Sequence, residues 1–153
     1  MTDLAFFEPR IPGNTGNAVR LSAVVGCALH LIKPLGFDLG DKKLKRAGLD
    51  YHDLGHMVVH EDFETFLGTL SANTKIYAFT THTDTHFNQV NYSASDVLLF
   101  GPEPSGLPEH ILKHPRITAS LRIPMRPSAR SLNLAVAASV AIYEVWRQQG
   151  YKF

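Results

Sequence analysis

Two four-residue runs, Leu4-Ala5-Phe6-Phe7 and Val97-Leu98-Leu99-Phe100, constrain the fold most. Each is apolar at every position, and each ends abruptly, the first at Glu8-Pro9 and the second at Gly101-Pro102. They are too short for helices and lack the alternation of a strand with one wet face. They therefore read as buried strands, the second as a central strand of a parallel sheet. Ala28 to Ile32 (stopped by Lys33-Pro34), Met57 to Val59, Lys75 to Thr80 and Ala119 to Ile123 read as further strands. Helical patterns lie between them. Asn14 or Thr15 caps a helix running to about Val25, with Val19, Leu21, Val24, Val25 and Leu29 roughly following a helical stripe. Asp41 opens a short basic helix that ends at Gly48. Asp62 to Leu70 is amphipathic, with Phe63, Phe66, Leu67 and Leu70 inward. Pro108 to Lys113 is short, with proline in its first turn. Ser131 to Gln149 is long, with Leu134, Val136, Ala137, Val140, Ala141 and Val145 as its apolar side. Strands alternating with helices predict one α/β domain over residues 1–153, a mostly parallel sheet flanked by helices.

A hydrophobic content of 44% with 19% charged residues suits a globular chain. One cysteine, Cys27, makes no internal disulfide, and the longest mostly apolar stretch, Leu134 to Tyr143, falls short of the ~20 residues that cross a bilayer. Met1-Thr2-Asp3-Leu4 lacks a signal pattern, so a cytoplasmic protein without a membrane partner is expected. The net charge of +1 conceals an asymmetry: from Lys113 to Phe153 seven basic residues stand against one acid, Glu144. A second basic knot is Lys42-Lys43-Leu44-Lys45-Arg46. Localised positive charge suits a polyanion, because neutralising phosphates releases counterions.

Ligands of parallel α/β sheets sit beyond the carboxyl ends of the strands. Three of the segments that follow those ends are unusual. In Pro12-Gly13-Asn14-Thr15-Gly16-Asn17-Ala18-Val19-Arg20, Asn17 and Arg20 are three apart and share a helix face. Phe100-Gly101-Pro102-Glu103-Pro104-Ser105-Gly106-Leu107-Pro108 holds two glycines and three prolines, a stiff backbone that a ligand can approach closely. It matches neither a Walker loop nor Gly-x-Gly-x-x-Gly. Ile123 to Asn133 carries Met125, Arg126 and Arg130 and leads to Ser131, a natural helix cap. Thr80-Thr81-His82 is only mildly distinctive.

Other chemistries are less well served. His52, His56 and His60 lie four apart, but Gly55 and Val58-Val59 interrupt a helix there, and His82-Thr-Asp-Thr-His86 has loop composition. No metal is therefore assigned. No Gly-x-Ser-x-Gly elbow is present, Cys27 reads as a small buried hydrophobe, and Asp96 as a strand-start residue.

Taken together, Pro-x-Asn-x-Gly-Asn-x-x-Arg, Phe-Gly-Pro-Glu-x-x-Gly-Leu-Pro and Ile-Pro-Met…Ser-Leu-Asn-Leu, in this order, resemble the SPOUT RNA methyltransferases. The chain length, Arg-Ala-Gly-Leu-Asp-Tyr-His at 46–52 and Tyr143 to Gln148 are similar to the tRNA (cytidine/uridine-34 2′-O)-methyltransferase branch. The resemblance implies a C-terminal trefoil knot, S-adenosyl-L-methionine as methyl donor, tRNA as substrate and a homodimer. By residue matching it implies Phe79, Thr80, Gly101, Gly106, Ile123, Met125, Ser131, Leu132 and Asn133 at the cofactor. It places Arg20, Asn14, Asn17 and Glu103 in catalysis, with Glu103 pairing to Arg20, and Arg20, Arg130 and Tyr143 on RNA. A non-catalytic RNA-binding module and a ribosomal RNA 2′-O-methyltransferase are the alternative readings.

Overall fold

The computed structural model describes residues 1–40, 42–46 and 53–152. Six parallel strands form one sheet: β1 (Asp3–Phe7), β2 (Leu29–Ile32), β3 (Met57–His60), β4 (Ile76–Phe79), β5 (Val97–Phe100) and β6 (Ile117–Leu121). Their spatial order is β3-β2-β1-β5-β4-β6. Helices α1 (Pro12–Val25), α2 (Lys42–Arg46), α3 (Phe63–Gly68), α4 (Glu109–Leu112) and α5 (Leu134–Gln148) connect or follow them.

The unbroken apolar runs are explained by helices on both faces. Side chains of a strand alternate between faces. Leu4 and Phe6 of β1 join Leu98 and Phe100 of β5 in a core with Ala18 and Val19 of α1 and Ala138, Ala141 and Ile142 of α5. Ala5 and Phe7 turn the other way, to Leu99, to Phe63 and Phe66 of α3 and to Ile111 of α4. Each fully buried Leu, Ile or Phe contributes roughly 1.5–3 kcal/mol, so neither face tolerates a polar residue at positions 4–7 or 97–100.

The order of elements is as expected, and several boundaries are not. α1 starts at Pro12, after Ile11, and neither Asn14 nor Thr15 is its cap. Proline suits a first turn because it has no N–H to leave unpaired. Asn14 and Thr15 are thereby drawn inside, and the buried face of α1 is Asn14, Thr15, Ala18, Val19, Ser22 and Val25, while Val24 is 56% exposed. Gly26 closes the helix with φ of 73°, donating to the Ser22 carbonyl at 2.9 Å. At α5 the cap is Asn133, not Ser131: its Oδ1 accepts from the N–H groups of Ala135 (2.9 Å) and Val136 (3.3 Å). The buried side of α5 is Leu134, Ala135, Ala138, Ala141, Ile142 and Val145, and Val136 and Val140 face outward. β6 runs 117–121 rather than 119–123. Its ladder with β4 slips one residue between Ile76 and Tyr77, where the Thr118 hydroxyl accepts the Ile76 N–H at 3.1 Å. The helix expected from Asp62 to Leu70 is α3, and Asp62 caps it, accepting from Thr65 N at 2.7 Å. The expected helix opening at Asp41 and end at Gly48 lie outside the described residues, as does most of the 46–52 motif.

Candidate functional site

Because all six strands are parallel, the loops after β1, β4, β5 and β6 emerge at one edge of the sheet. Between them lies a cleft of about 530 Å³. Its floor is aromatic: Phe79 and Phe100, the last residues of β4 and β5, stack with ring centroids 4.6 Å apart. One wall is the stiff loop after β5. There Gly101 passes so close to the returning chain that a Cβ would lie 2.1 Å from the Leu107 nitrogen and 2.3 Å from the Gly106 carbonyl carbon. Gly106 has φ of +74° and donates to the Pro102 carbonyl at 2.8 Å. Only glycine fits the first position without moving backbone, and the second strongly favours it.

Three side chains tie these loops together. Asn14 Nδ2 donates to Glu103 Oε1 at 2.8 Å, and Asn133 Nδ2 donates to Asn14 Oδ1 at 2.8 Å. The other Glu103 oxygen accepts the Arg10 N–H at 2.8 Å. Asn14 is 7% exposed, so this chain of bonds is partly withdrawn from water, where an unmade bond costs about 1–3 kcal/mol. The expected Glu103–Arg20 pair is corrected here. Both carboxylate oxygens are taken by Arg10 and Asn14, and Arg20 stands exposed on the outer face of α1. Glu103 therefore anchors α1 to the loop after β5.

The cleft gathers most of the residues singled out in the sequence. Asn14, Phe79, Thr80, Gly101, Glu103, Gly106, Ile123, Met125, Arg130, Ser131, Leu132 and Asn133 all line it. Arg130 and Ser131 are exposed at its rim. Asn17, Arg20 and Tyr143 do not line it. Asn17 and Arg20 are both exposed on α1, and Tyr143 is 43% exposed on α5, about 15 Å of helix beyond Asn133. Phe100, Leu107, Leu134, Ala137 and His82 also line the cleft and were not assigned to it from sequence. The first two sit inside the quoted motif, and the strand-end rule would have found Phe100.

The rejected chemistries can now be placed. Among the described residues no three His, Cys, Asp or Glu side chains gather as a metal site. His60 instead meets His30, with Nε2 and Nδ1 2.8 Å apart, away from the cleft, and His52 lies outside the described residues. Burial, then the charge of Asp3, pushes the Cys27 thiol up to about 12, which leaves it protonated and unreactive at neutral pH.

The residues fit a nucleotide-like donor. The cleft joins an aromatic floor to a rim of main-chain groups held by Gly101 and Gly106, and its volume lies within the range of small-molecule sites.

The model of the SpoU rRNA Methylase family matches residues 1–143. A tRNA (cytidine(34)-2'-O)-methyltransferase of Yersinia pestis is 48% identical over 155 residues, covering 99% of this chain and 96% of that protein. A solved structure described as giving insights into the 2-OH methylation of C/U34 on tRNA superposes with a TM-score of 0.92 at 44% identity, covering 99% of this chain and 98% of that one. The SpoU methyltransferase AviRb from Streptomyces viridochromogenes, solved in complex with AdoMet, gives 0.83 at 25% identity, covering 100% of this chain and 59% of that one. With its parallel sheet, its strand-end cleft and a family match over nearly its whole length, the chain belongs to the SpoU methylase family.

Proposed function

We propose that this protein is an S-adenosyl-L-methionine-dependent tRNA methyltransferase acting on the ribose 2′-hydroxyl of nucleotide 34, cytidine or uridine. The observation that carries the reading is convergence. Three motifs far apart in the chain meet through Asn14, Glu103 and Asn133 around one cleft. Full-length relatives are named for this reaction.

Phe79, Thr80, Gly101, Gly106, Ile123, Met125, Ser131, Leu132 and Asn133 would hold the donor. When bound, the donor supplies an electrophilic methyl on a sulfonium. The protein's part is alignment, and holding two reactants in line removes several kcal/mol of barrier. Arg20 orients the 2′-hydroxyl and its neighbouring phosphate. A guanidinium stays charged throughout the physiological pH range, so it is a cation rather than a base. The hydroxyl proton passes to that phosphate or to water. Asn14 and Glu103 hold the start of α1, which carries Asn17 and Arg20, while Arg130 and Tyr143 touch RNA.

A homodimer belongs to this reading. Val136, Val140 and Tyr143 form an exposed stripe at helical spacing on α5. Helices α1 and α5 pack on each other, and in this reading Arg20 of one copy serves a site shaped partly by the other. The trefoil knot is supported by the route of the chain. After edge strand β6 it returns to the centre of the sheet, where α5 packs on α1 and β5. The reading places the protein in the cytoplasm with its substrate. Among the described residues no helix is long and apolar enough to cross a membrane.

The test is transfer of labelled methyl from S-adenosylmethionine to bulk tRNA, followed by nucleoside mass spectrometry. A 2′-O-methylated nucleoside at position 34 is expected. Methyl found only in ribosomal RNA would move the substrate to the one in the family's description. Donor binding without transfer to any RNA would reduce the protein to a binding module.

A further inference from the structure

Arg10 has no role so far, and the basic knot on the short helix α2 has been noted only as charge suited to a polyanion. β1 and β2 run parallel with Phe7 opposite Ile32, so the segments after them leave the sheet side by side. They are joined at once: Glu8 N–H donates to the Ile32 carbonyl and Gly36 N–H to the Pro9 carbonyl, each at 2.9 Å. Gly36 presses on Arg10 so closely that a Cβ there would lie 2.6 Å from the Arg10 Cα and 2.9 Å from its oxygen. On its other side the Arg10 N–H is held by Glu103 at 2.8 Å. The backbone of Arg10 is thus fixed from two directions, next to Ile11 on the cleft wall. Its side chain is exposed and, among the described residues, makes no ion pair.

The segment that holds Arg10 continues into α2. Leu44 is 2% exposed and α2 packs on α1, while Lys42, Lys45 and Arg46 are exposed. None of the three makes an ion pair among the described residues. Lys33, at the end of β2, shows the contrast: it is paired to Glu61 at 2.9 Å. In the connecting segment Asp38 turns its carboxylate to the Gly40 N–H.

We infer that Arg10, Lys42, Lys45 and Arg46 form a flank that tracks the phosphates of an RNA strand whose target ribose lies at the cleft. The inference rests on the RNA reading above and adds residues to it. The ligand chemistry is a row of phosphodiesters. The exposed cations stand on two segments joined by the Gly36–Pro9 bond, as suits a polyanion held by charge rather than by base readout.

The experiment measures binding of bulk tRNA over a range of KCl concentrations. Variants are Arg10→Gln, the triple Lys42→Gln/Lys45→Gln/Arg46→Gln, and Lys75→Gln as control. Lys75 is exposed just before β4, at the opposite edge of the sheet. Each flank cation removed should lower the slope of log K against log salt by about 1, and the triple variant should raise Kd about tenfold or more. The loss should appear in KM for tRNA rather than in kcat. Calorimetric affinity for S-adenosylmethionine should match wild type, which also reports an intact fold. Lys75→Gln should leave the slope in place. Wild-type Kd and slope in both flank variants, with wild type still methylating tRNA, would overturn the flank and leave the proposed function standing. RNA binding without methylation by wild type, weakened in the variants, would support the flank and defeat the proposed function. No RNA binding by wild type would defeat both.

Discussion

At the residue scale, two positions separate chemistry from architecture. Arg20 is exposed and does not line the cleft, so removing its guanidinium leaves the pocket walls intact. Arg20→Ala should lower methyl transfer by about a hundredfold or more while donor affinity stays within about threefold, read by single-turnover transfer beside calorimetry. Full activity in that variant removes Arg20 from the mechanism. Gly101 is the opposite case. In Gly101→Ala the new methyl meets Leu107 and Gly106 main chain, which gives way only by shifting the loop. Donor binding should fall by tenfold or more with a lower melting temperature, and unchanged affinity would mean that the loop can relax without harm. The motifs made both residues visible in the sequence. What they did not reveal is who holds whom. Glu103 was expected on Arg20, yet Asn14 and the Arg10 amide take both its oxygens, a choice made by the buried first turn of α1.

At the element scale, α5 shows what periodicity conveys and what it misses. Its length and position were legible, because a run of alanine and aliphatic residues admits little else. Its buried face was not. Apolar residues occupy both sides, and only packing decides that Ala138 and Ile142 go in while Val136 and Val140 stay out. A helix apolar all round signals a second burial event. Val140→Glu should therefore yield monomers by analytical ultracentrifugation, with transfer greatly reduced and the fold retained by circular dichroism. A dimer that survives the substitution puts the interface elsewhere. Caps were misread for a related reason: Asn14, Ser131 and Asn133 are all competent caps, and selection among them depends on contacts more than a hundred residues away.

At the scale of the whole molecule, the parallel sheet and its strand-end cleft followed from two apolar runs and the alternation around them. The resemblance supplied the chemistry. The His30–His60 contact had no sequence signal, since it pairs neighbouring strands β2 and β3 through side chains. It gives the fold a pH dependence. Burial, then the proximity of His30, holds His60 below its ordinary 6.5. The unfolded chain therefore binds a proton that the native state refuses, so this stability is present above about pH 6.5 and is lost as pH falls toward the native value. The melting temperature should drop between about pH 7 and 5, and His60→Gln should flatten that drop. Equal slopes for the two proteins would assign the acid sensitivity to other groups.

The hydrogen bond from Asn133 back to Asn14 spans 119 residues. During synthesis, then, the amino-terminal half can lay down β1 and α1 long before any pocket exists. One wall arrives only when the segment from Ile123 to Asn133 leaves the ribosome and docks. A nascent chain stalled ahead of that point lacks the wall that the proposed function needs for its methyl donor, so competence waits on residues 123–133.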